Sequence, residues 1–560
     1  MSNHGFDSFI YQPAVAKSIL FKSILFIATA IALLFLTSSA SIAEKVAEPV
    51  ALKLPVSSMQ ELKRIKGKRV KLVQDLVVSD LYGAGYGLGN YGQFAISSKL
   101  HFQPTELMTA AEVLKNPKIL TAKEKDYLLV DDGSMQLHPS YIPFPNKQGF
   151  SATNSLRIGD TLKAGSIGTL RAYKKHYIFI PEINLLDKNT SEQLNIQPAK
   201  WQALPEVDSR SNLVVASMNL GNYFNGNFNG KPKRKKGFPT ARGAKTYQGF
   251  QLQTAKIVSA LKKIDADIIA LMEIENDGYG KHSAIADLTR ALNSSLTGSL
   301  DSQKNHYRYV IPNKKDLHQG KLGHSAISVG LLYRKNTVKL VGDAQVFNAK
   351  MSKALQTKVR FNDKLNRPSL IQKFKQGDQT IVIAVNHFKS KGKRCKTPYK
   401  ADKADQLQGN CNQTRKEAAI ALTQFLSKQF NTGFDADFER NSDNILILGD
   451  LNSYSQEDPL LALYNSGYSN LNTIFPAPKP SFSYSHQGYL GNLDHGLVNK
   501  KLLTQVRSFD AWHINSVEDV LLDYNTEKNG HEYPAIDHYG EPDEKRSSDH
   551  DPLIIGIELR

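Results

Sequence analysis

The sequence predicts an α/β protein: a four-layer α/β sandwich of two packed mixed sheets flanked by helices, preceded by a small β-barrel domain. Three observations carry that expectation. From Leu213 onward, apolar β-like runs alternate with amphipathic helical stretches, and helices on both sides of two packed sheets is the simplest layering for that length. From Lys68 the chain instead shows short alternating runs broken by glycine turns: RVKLVQDLVVSD, YGQFAIS, DYLLVDDGS and LRIGDTLKAGSIGTLRAYKKHYIFIP. Finally, five polar clusters sit where an apolar run stops. They are Asn219 after LVVASM, Glu273 after DIIALM, His387 after IVIAVN, Asp450 to Asn452 after NILILG, and Asp549-His550 before PLIIGIEL. Buried strands hold polar side chains at their ends rigidly enough for proton and metal chemistry.

At 560 residues the chain exceeds one compact core and is expected to divide into domains. Residues 1–43 read as a signal peptide: Lys17 and Lys22 precede an apolar run from Ile24 to Leu36, followed by Ser41-Ile42-Ala43 as cleavage site. That run is shorter than the roughly 20 residues a membrane span needs. The mature chain is therefore expected outside the cytoplasm, secreted or periplasmic, as a monomer with no stable membrane insertion. Residues 44–66, polar and lysine-rich, read as a linker, 67–200 as the β-barrel domain and 211–560 as the sandwich, with a connector at Pro198 to Pro205. The first helix of the sandwich is expected from Gln251 to Ile264, where Leu252, Ala255, Ile257, Val258 and Leu261 share a helical period.

Composition, 41% hydrophobic and 22% charged, is that of an ordinary globular protein and excludes a disordered or fibrous one. The 71 basic and 53 acidic residues give a formal charge of +18, which favours polyanions. The two cysteines, Cys395 and Cys411, fall in one polar segment after the His387 run, and in an exported protein such a pair is expected as a disulfide.

Taken in order, N219-L-G-N, I-A-L-M-E273-I-E-N, N386-H387-F-K, G449-D450-L-N452-S, N492-L-D494-H and S548-D549-H550-D-P match a known motif series. Residues 211–560 thereby resemble the DNase I-like endonuclease/exonuclease/phosphatase superfamily. FPTARGA, HFKSKG and the cysteine-flanked loop are similar to segments of its secreted bacterial nucleases, and GDTLKAGSIGTL resembles the OB-fold domain that precedes some of them. The resemblance implies a secreted, metal-dependent phosphodiesterase that hydrolyses nucleic acid, foremost an extracellular DNase acting as an endonuclease. Fold does not set substrate, so a lipid or small-diester phosphoesterase and a non-catalytic nucleic-acid-binding protein are the alternatives.

The residue types suit that chemistry. Phosphodiester hydrolysis builds charge on oxygens, which a hard divalent cation held by carboxylates stabilises; Mg²⁺ is expected, with Mn²⁺ or Ca²⁺ as substitutes. Glu273 is the first ligand expected and Asp549 the second, with Asn219 supporting the metal or its water. His387 and His550 are the proton-transfer candidates. Asp494 is expected to orient His550, Asp450 or the Asp494–His550 pair to prepare the water, His387 to serve the leaving side, and Asn452 to bond a phosphate oxygen. His495, His531 and His538 are expected at the surface.

One departure stands out. The resemblance implies an acidic residue just before the GLLYR run that orients the histidine at the His387 position, yet here the segment reads G323-H324-S325-A326-I327. Substrate DNA, and possibly RNA, is expected along a groove lined by Lys231, Lys233, Arg234, Lys235 and Lys236, and by Lys389, Lys391, Lys393 and Arg394. Rings of Tyr223, Phe224, Phe228 and Tyr247 are expected beside it. Arg242 suits either a phosphate contact or a turn-anchoring salt bridge.

Overall fold

The computed structural model describes residues 47–82, 87–173, 176–201, 203–227, 237–296, 306–395, 402, 405–430, 443–475, 481–525, 527–528, 531–532 and 539–560. The expected signal peptide, Lys231, Lys233, Arg234, Lys235, Lys236, Phe228 and His538 lie outside these residues. Val50–Arg560 forms one compact unit. No helix among the described residues is long and apolar enough to cross a membrane.

Two six-stranded mixed sheets make the centre of the larger half. One runs Tyr307–Tyr309, Ile327–Arg334, Ile268–Glu275, Leu213–Tyr223, Leu553–Ile557, Val506–Ala511. The other runs Lys339–Phe347, Ser369–Gln376, Gln379–His387, Asn444–Asp450, Asp494–Asn499, Tyr468–Asn470. Their strands are apolar on both faces because each face is covered. Leu213, Val215, Ile268 and Ala270 meet Ile381, Ile383, Leu446 and Leu448 between the sheets. The alternate residues Ala216, Met218, Ile269 and Leu271 pack under helices Tyr247–Ile264 and Ala284–Ser295, while Val382, Ala384, Ile445 and Ile447 pack under helix Asn412–Phe430. The two-residue period of the strand sends neighbours to opposite layers, giving helix, sheet, sheet, helix. The first helix starts at Tyr247, earlier than its apolar period, because the Thr246 side chain caps it by accepting from Gly249 N.

The N-terminal part is a nine-stranded sheet in the order Val50–Leu52, Arg69–Leu72, Ile167–Tyr173, His176–Pro181, Leu128–Asp131, Gln93–Ser97, Leu76–Asp80, Thr161–Leu162, Ile196–Gln197. Among the described residues no pairing joins its first strand to its last, so this order does not establish the expected barrel. The linker expectation for 44–66 fails from Val50 on. Val50–Leu52 pairs parallel with Arg69–Leu72, Met59–Ile65 is helical, and Leu52, Leu54, Val56 and Leu62 are buried. Four apolar side chains spaced among lysines suffice to tie the segment down, although its composition is polar.

This sheet shares its core with the sandwich: Phe482, Leu490, Val517, Leu521 and Leu522 pack with Phe94, Phe144 and Phe179. The segment around residues 101–107 binds directly to loops that leave the second sandwich sheet. Leu490 N donates to His101 O at 2.8 Å, Gln103 N to Leu490 O at 2.9 Å and Gln456 N to Thr105 O at 2.9 Å.

Candidate active site

Strand register brings the polar clusters to one edge. In the second sheet His387 lies beside Asp450 and Asp450 beside Asp494, so three residues from separate sequence segments stand in a row. In the first sheet Asn219 and Glu273 lie near the C-terminal ends of neighbouring parallel strands. The antiparallel strand Leu553–Ile557 begins at the same edge, directly after Asp549 and His550.

The strand ends are bent to do this. At Glu273 the register shifts and φ is +58°, and Ile274, which regular alternation would place between the sheets with Met272, packs in the helix layer instead. Glu275 is thereby turned away, accepting from Asn225 N at 3.2 Å. Asn222 and Asn452 also have positive φ, at 65° and 48°. Such costly backbone persists only where the surroundings over-determine it, and it concentrates at functional sites. Gly449 has φ +125°, and a Cβ there would lie 2.0 Å from Asn386 O, which explains glycine ahead of Asp450.

Two His–carboxylate pairs stand at this edge. His550 Nδ1 is 2.7 Å from Asp494 Oδ2, which also accepts from Ser483 Oγ at 2.8 Å. His387 Nε2 is 3.3 Å from Asp450 Oδ2 and 3.9 Å from Glu273 Oε1. Asp450 is held by Asn219 Nδ2 at 3.3 Å and Asn452 N at 2.8 Å, and Glu273 by Asn222 Nδ2 at 2.6 Å. Asn219 and Asn452 thus spend their amides inside the protein, Asn452 Nδ2 donating to Phe388 O at 3.2 Å. The His387 Nδ1 atom is buried without a hydrogen-bond partner among the described residues. That agrees with the missing acid of the 323–327 segment.

The electrostatics separate the two imidazoles. Burial, reinforced by the charges of Arg367, His550, Arg242 and Lys389, pushes His387 well below 6.5, so it is neutral. Burial opposes charge on His550 as well, but Asp494, Asp549 and Asp450 outweigh it and hold that ring well above 6.5, so it is cationic. The Asp450 carboxyl is raised to about 7, first by burial and then by Asp494 and Glu273 against the opposing His550 charge. Burial and the Asp549 charge raise Glu273. The repulsion between Glu273 and Asp549 is one that a divalent cation would relieve. Among the described residues no three His, Cys, Asp or Glu converge as a ready-made metal cage. The Glu273 and Asp549 carboxylates are oxygen donors of the kind that suit a hard cation such as Mg²⁺, which keeps several waters and takes one or two carboxylates.

The structure corrects several expectations. His495 is fully buried, with Nδ1 3.2 Å from Asn470 Nδ2 and Nε2 2.8 Å from Ser453 O, because it faces the layer beneath the sheet edge. Tyr223 and Phe224 are buried in the core, whereas Tyr247 is exposed. Lys391 does not line a groove; its ammonium is 2.5 Å from both Glu457 oxygens and 4.4 Å from the Tyr454 ring centre. Arg242 is exposed and its charge reaches Glu273 and His387. Lys389 is partly buried, its Nζ 3.2 Å from Ser390 Oγ. Cys395 and Cys411 form a disulfide across 16 positions, with Cα atoms 5.5 Å apart.

Sequence reasoning missed Arg367, which donates to Phe388 O at 2.7 Å and whose charge acts on Glu273 and Asp450. The signal was present: Arg367 precedes Ser369–Gln376, whose start is antiparallel to the end of the His387 strand. It also missed Glu106, which enters from the N-terminal part. Its carboxylate accepts from Ser455 N and Oγ and from Asn492 N and Nδ2 at 2.6–3.2 Å, tying together the loops beyond Asn452 and ahead of Asp494.

Solved structures similar to this chain include the human Nocturnin catalytic domain with bound sulfate, at 14% identity, 63% of this chain, 97% of that one and a TM-score of 0.35. A mannosyl-6-phosphatase from Bacteroides thetaiotaomicron matches at 14% identity, 62% and 99% coverage and a TM-score of 0.37. An endonuclease/exonuclease/phosphatase family protein from Leptotrichia buccalis matches at 11% identity, 62% and 100% coverage and a TM-score of 0.36. No curated protein matches in sequence. The model of the endonuclease/exonuclease/phosphatase family matches residues 223–550, spanning the strands and loops that carry nearly all of this edge; with more than half of its length so matched, the chain belongs to that family.

Proposed function

We propose that this phosphoesterase is an exported, divalent-metal-dependent nuclease whose first substrate is DNA, cut internally. The observation that carries the reading is that one edge holds a cationic His550 bonded to Asp494 and a neutral His387 beside Asp450 and Glu273. Two titrating groups pushed apart by their surroundings divide acid from base work. Glu273 and Asp549 are the residues that would hold the cation, which when bound supplies charge for the phosphate oxygens. Asp450, with a carboxyl near 7 and oriented by Asn219 and the Asn452 amide, takes the proton of the attacking water. His550, locked through Nδ1 to Asp494, offers its other ring nitrogen as donor to the phosphate or the departing oxygen. This keeps Asp450 at the water, one of the two alternatives expected from sequence, and moves the leaving side from His387 to His550, because a cationic imidazole cannot accept a proton. Arg367 and Arg242 add positive charge beside Glu273. The excess of basic residues supports a polyanionic substrate.

The test is a gel assay of the purified mature chain on closed circular DNA, linear DNA and RNA, alongside bis(p-nitrophenyl) phosphate and a sugar phosphate, with Mg²⁺, Mn²⁺, Ca²⁺ or EDTA. Nicking of circles that EDTA abolishes is expected. Full cleavage in EDTA, or turnover of the sugar phosphate alone, overturns the reading.

A further inference from the structure

Beside the catalytic edge lies a groove of about 920 Å³ that the reaction described above does not use. Its volume is at the upper end of the roughly 300–1,000 Å³ of small-molecule sites. One wall comes from the N-terminal sheet and its helices, with Tyr82, Lys123, Tyr127 and Tyr177. The other comes from the sandwich, with Tyr484, His486, Tyr489 and, at its catalytic end, Asp549. Tyr484 connects the two regions, its ring centre 4.7 Å from that of His550.

The chemistry of the walls limits what can enter. Asp80, Glu124 and Asp549 line the groove and would repel a phosphate backbone laid along its floor. Its cations are engaged: the Lys123 ammonium stands between rings, 5.0 Å from Tyr127 and 4.4 Å from Tyr489, and Arg546 donates to Tyr82 Oη at 2.8 Å and Asn515 O at 2.7 Å. What the groove offers is flat ring surface. Tyr484 and His486 are stacked within 14° with centres 6.4 Å apart, and Tyr127 and His176 lie 5.9 Å apart. Uncharged planar groups fit such walls, and nucleobases are planar and neutral. A duplex buries its base faces in its own stack, so only unpaired nucleotides can present them.

We propose that this groove is a binding subsite for a single-stranded stretch of polynucleotide, whose bases lie on the tyrosine and histidine rings while the adjoining phosphate lies off the groove floor at its catalytic end, toward His550. The inference rests on the nuclease reading and deepens it: the N-terminal part selects substrate with an unpaired segment beside the cut.

The experiment measures anisotropy of labelled oligo(dT) and of a labelled blunt duplex with the full mature chain in EDTA, for wild type, Tyr127→Ala, Tyr489→Ala and Tyr489→Phe. Thermal melts identify variants that remain folded, and bis(p-nitrophenyl) phosphate hydrolysis with metal reports the catalytic edge. Each alanine variant is expected to bind oligo(dT) roughly tenfold more weakly, the effect of losing one base–aromatic stack. Tyr489→Phe, which keeps the ring, retains binding, and duplex affinity and small-diester hydrolysis stay unchanged in all three. Unaltered oligo(dT) affinity in folded alanine variants overturns the proposal, as does equal weakening for duplex and single strand. Displacement of oligo(dT) by neutral maltohexaose would overturn it in favour of a glycan site. Failure of the nuclease reading is seen separately, as wild type that hydrolyses the small diester and cuts no nucleic acid.

Discussion

Replacing Asp494 with asparagine tests the central electrostatic argument, because it removes one charge and leaves the volume almost unchanged. Asp494 is 1% exposed and its Oδ2 sits 2.7 Å from His550 Nδ1. Burial alone would push that imidazole down, and Asp494 is the foremost of the groups that reverse it. A hydrogen bond to a charged partner contributes about 1.5–3 kcal/mol, so its loss lowers the His550 pKa while burial goes on opposing the charge. The cationic donor is weakened and no longer locked through Nδ1, and turnover falls on the order of 10²–10⁴-fold. The sign of the stability change follows from linkage: a histidine raised above 6.5 contributes stability that is full below 6.5 and lost as pH rises through the raised value. The variant therefore loses most stability near pH 6 and least at high pH. The assay is NMR titration of ¹⁵N-histidine-labelled, metal-free protein, with denaturant unfolding at several pH values. An unchanged His550 midpoint in the folded variant refutes the reasoning.

Other outcomes follow from the same geometry. Gly449→Ala forces a Cβ against Asn386 O and displaces Asp450; it should cost on the order of 3 kcal/mol in denaturant unfolding. Glu106→Ala orphans the amide and hydroxyl of Ser455 and the backbone amide of Asn492, at about 1–3 kcal/mol each without strict additivity, and leaves Asn492 Nδ2 only its bond to Ser481 O; it should lower the melting temperature and activity together. Burial raises the Glu106 carboxyl from 4.5 to about 7, so its contribution to stability is full below pH 4.5 and lost as pH rises through 7; Glu106→Gln should flatten that window in urea titrations. Replacing both Cys395 and Cys411 with serine should cost about 3 kcal/mol on the loop-entropy account, read from unfolding midpoints.

The candidate site was largely legible because it is built from chain-local signals. A strand buried on both faces is a continuous apolar run, and a polar residue ending it is conspicuous: Asn219, Glu273, His387 and Asp450 were found that way. Residues without that signature were misplaced. His495 and Tyr223 look amphipathic in sequence, yet the fold buries both. Arg367 lies two positions ahead of a strand rather than at the end of one, so it stood out only once the antiparallel pairing of that strand with the His387 strand was known. The linker expectation failed for a related reason, since average polarity hides the few apolar anchors that dock a segment.

Local composition and period, then, determined which segments become strands, which helices cover them and which polar side chains stand at strand ends, because these depend on neighbours a few positions away. Only the tertiary structure decided which ends share an edge, that Glu106 clasps Asn492 from 386 positions away, and that one imidazole is charged while its counterpart is neutral. Burial and the field of distant carboxylates set those properties, and neither is a property of any stretch of chain taken alone.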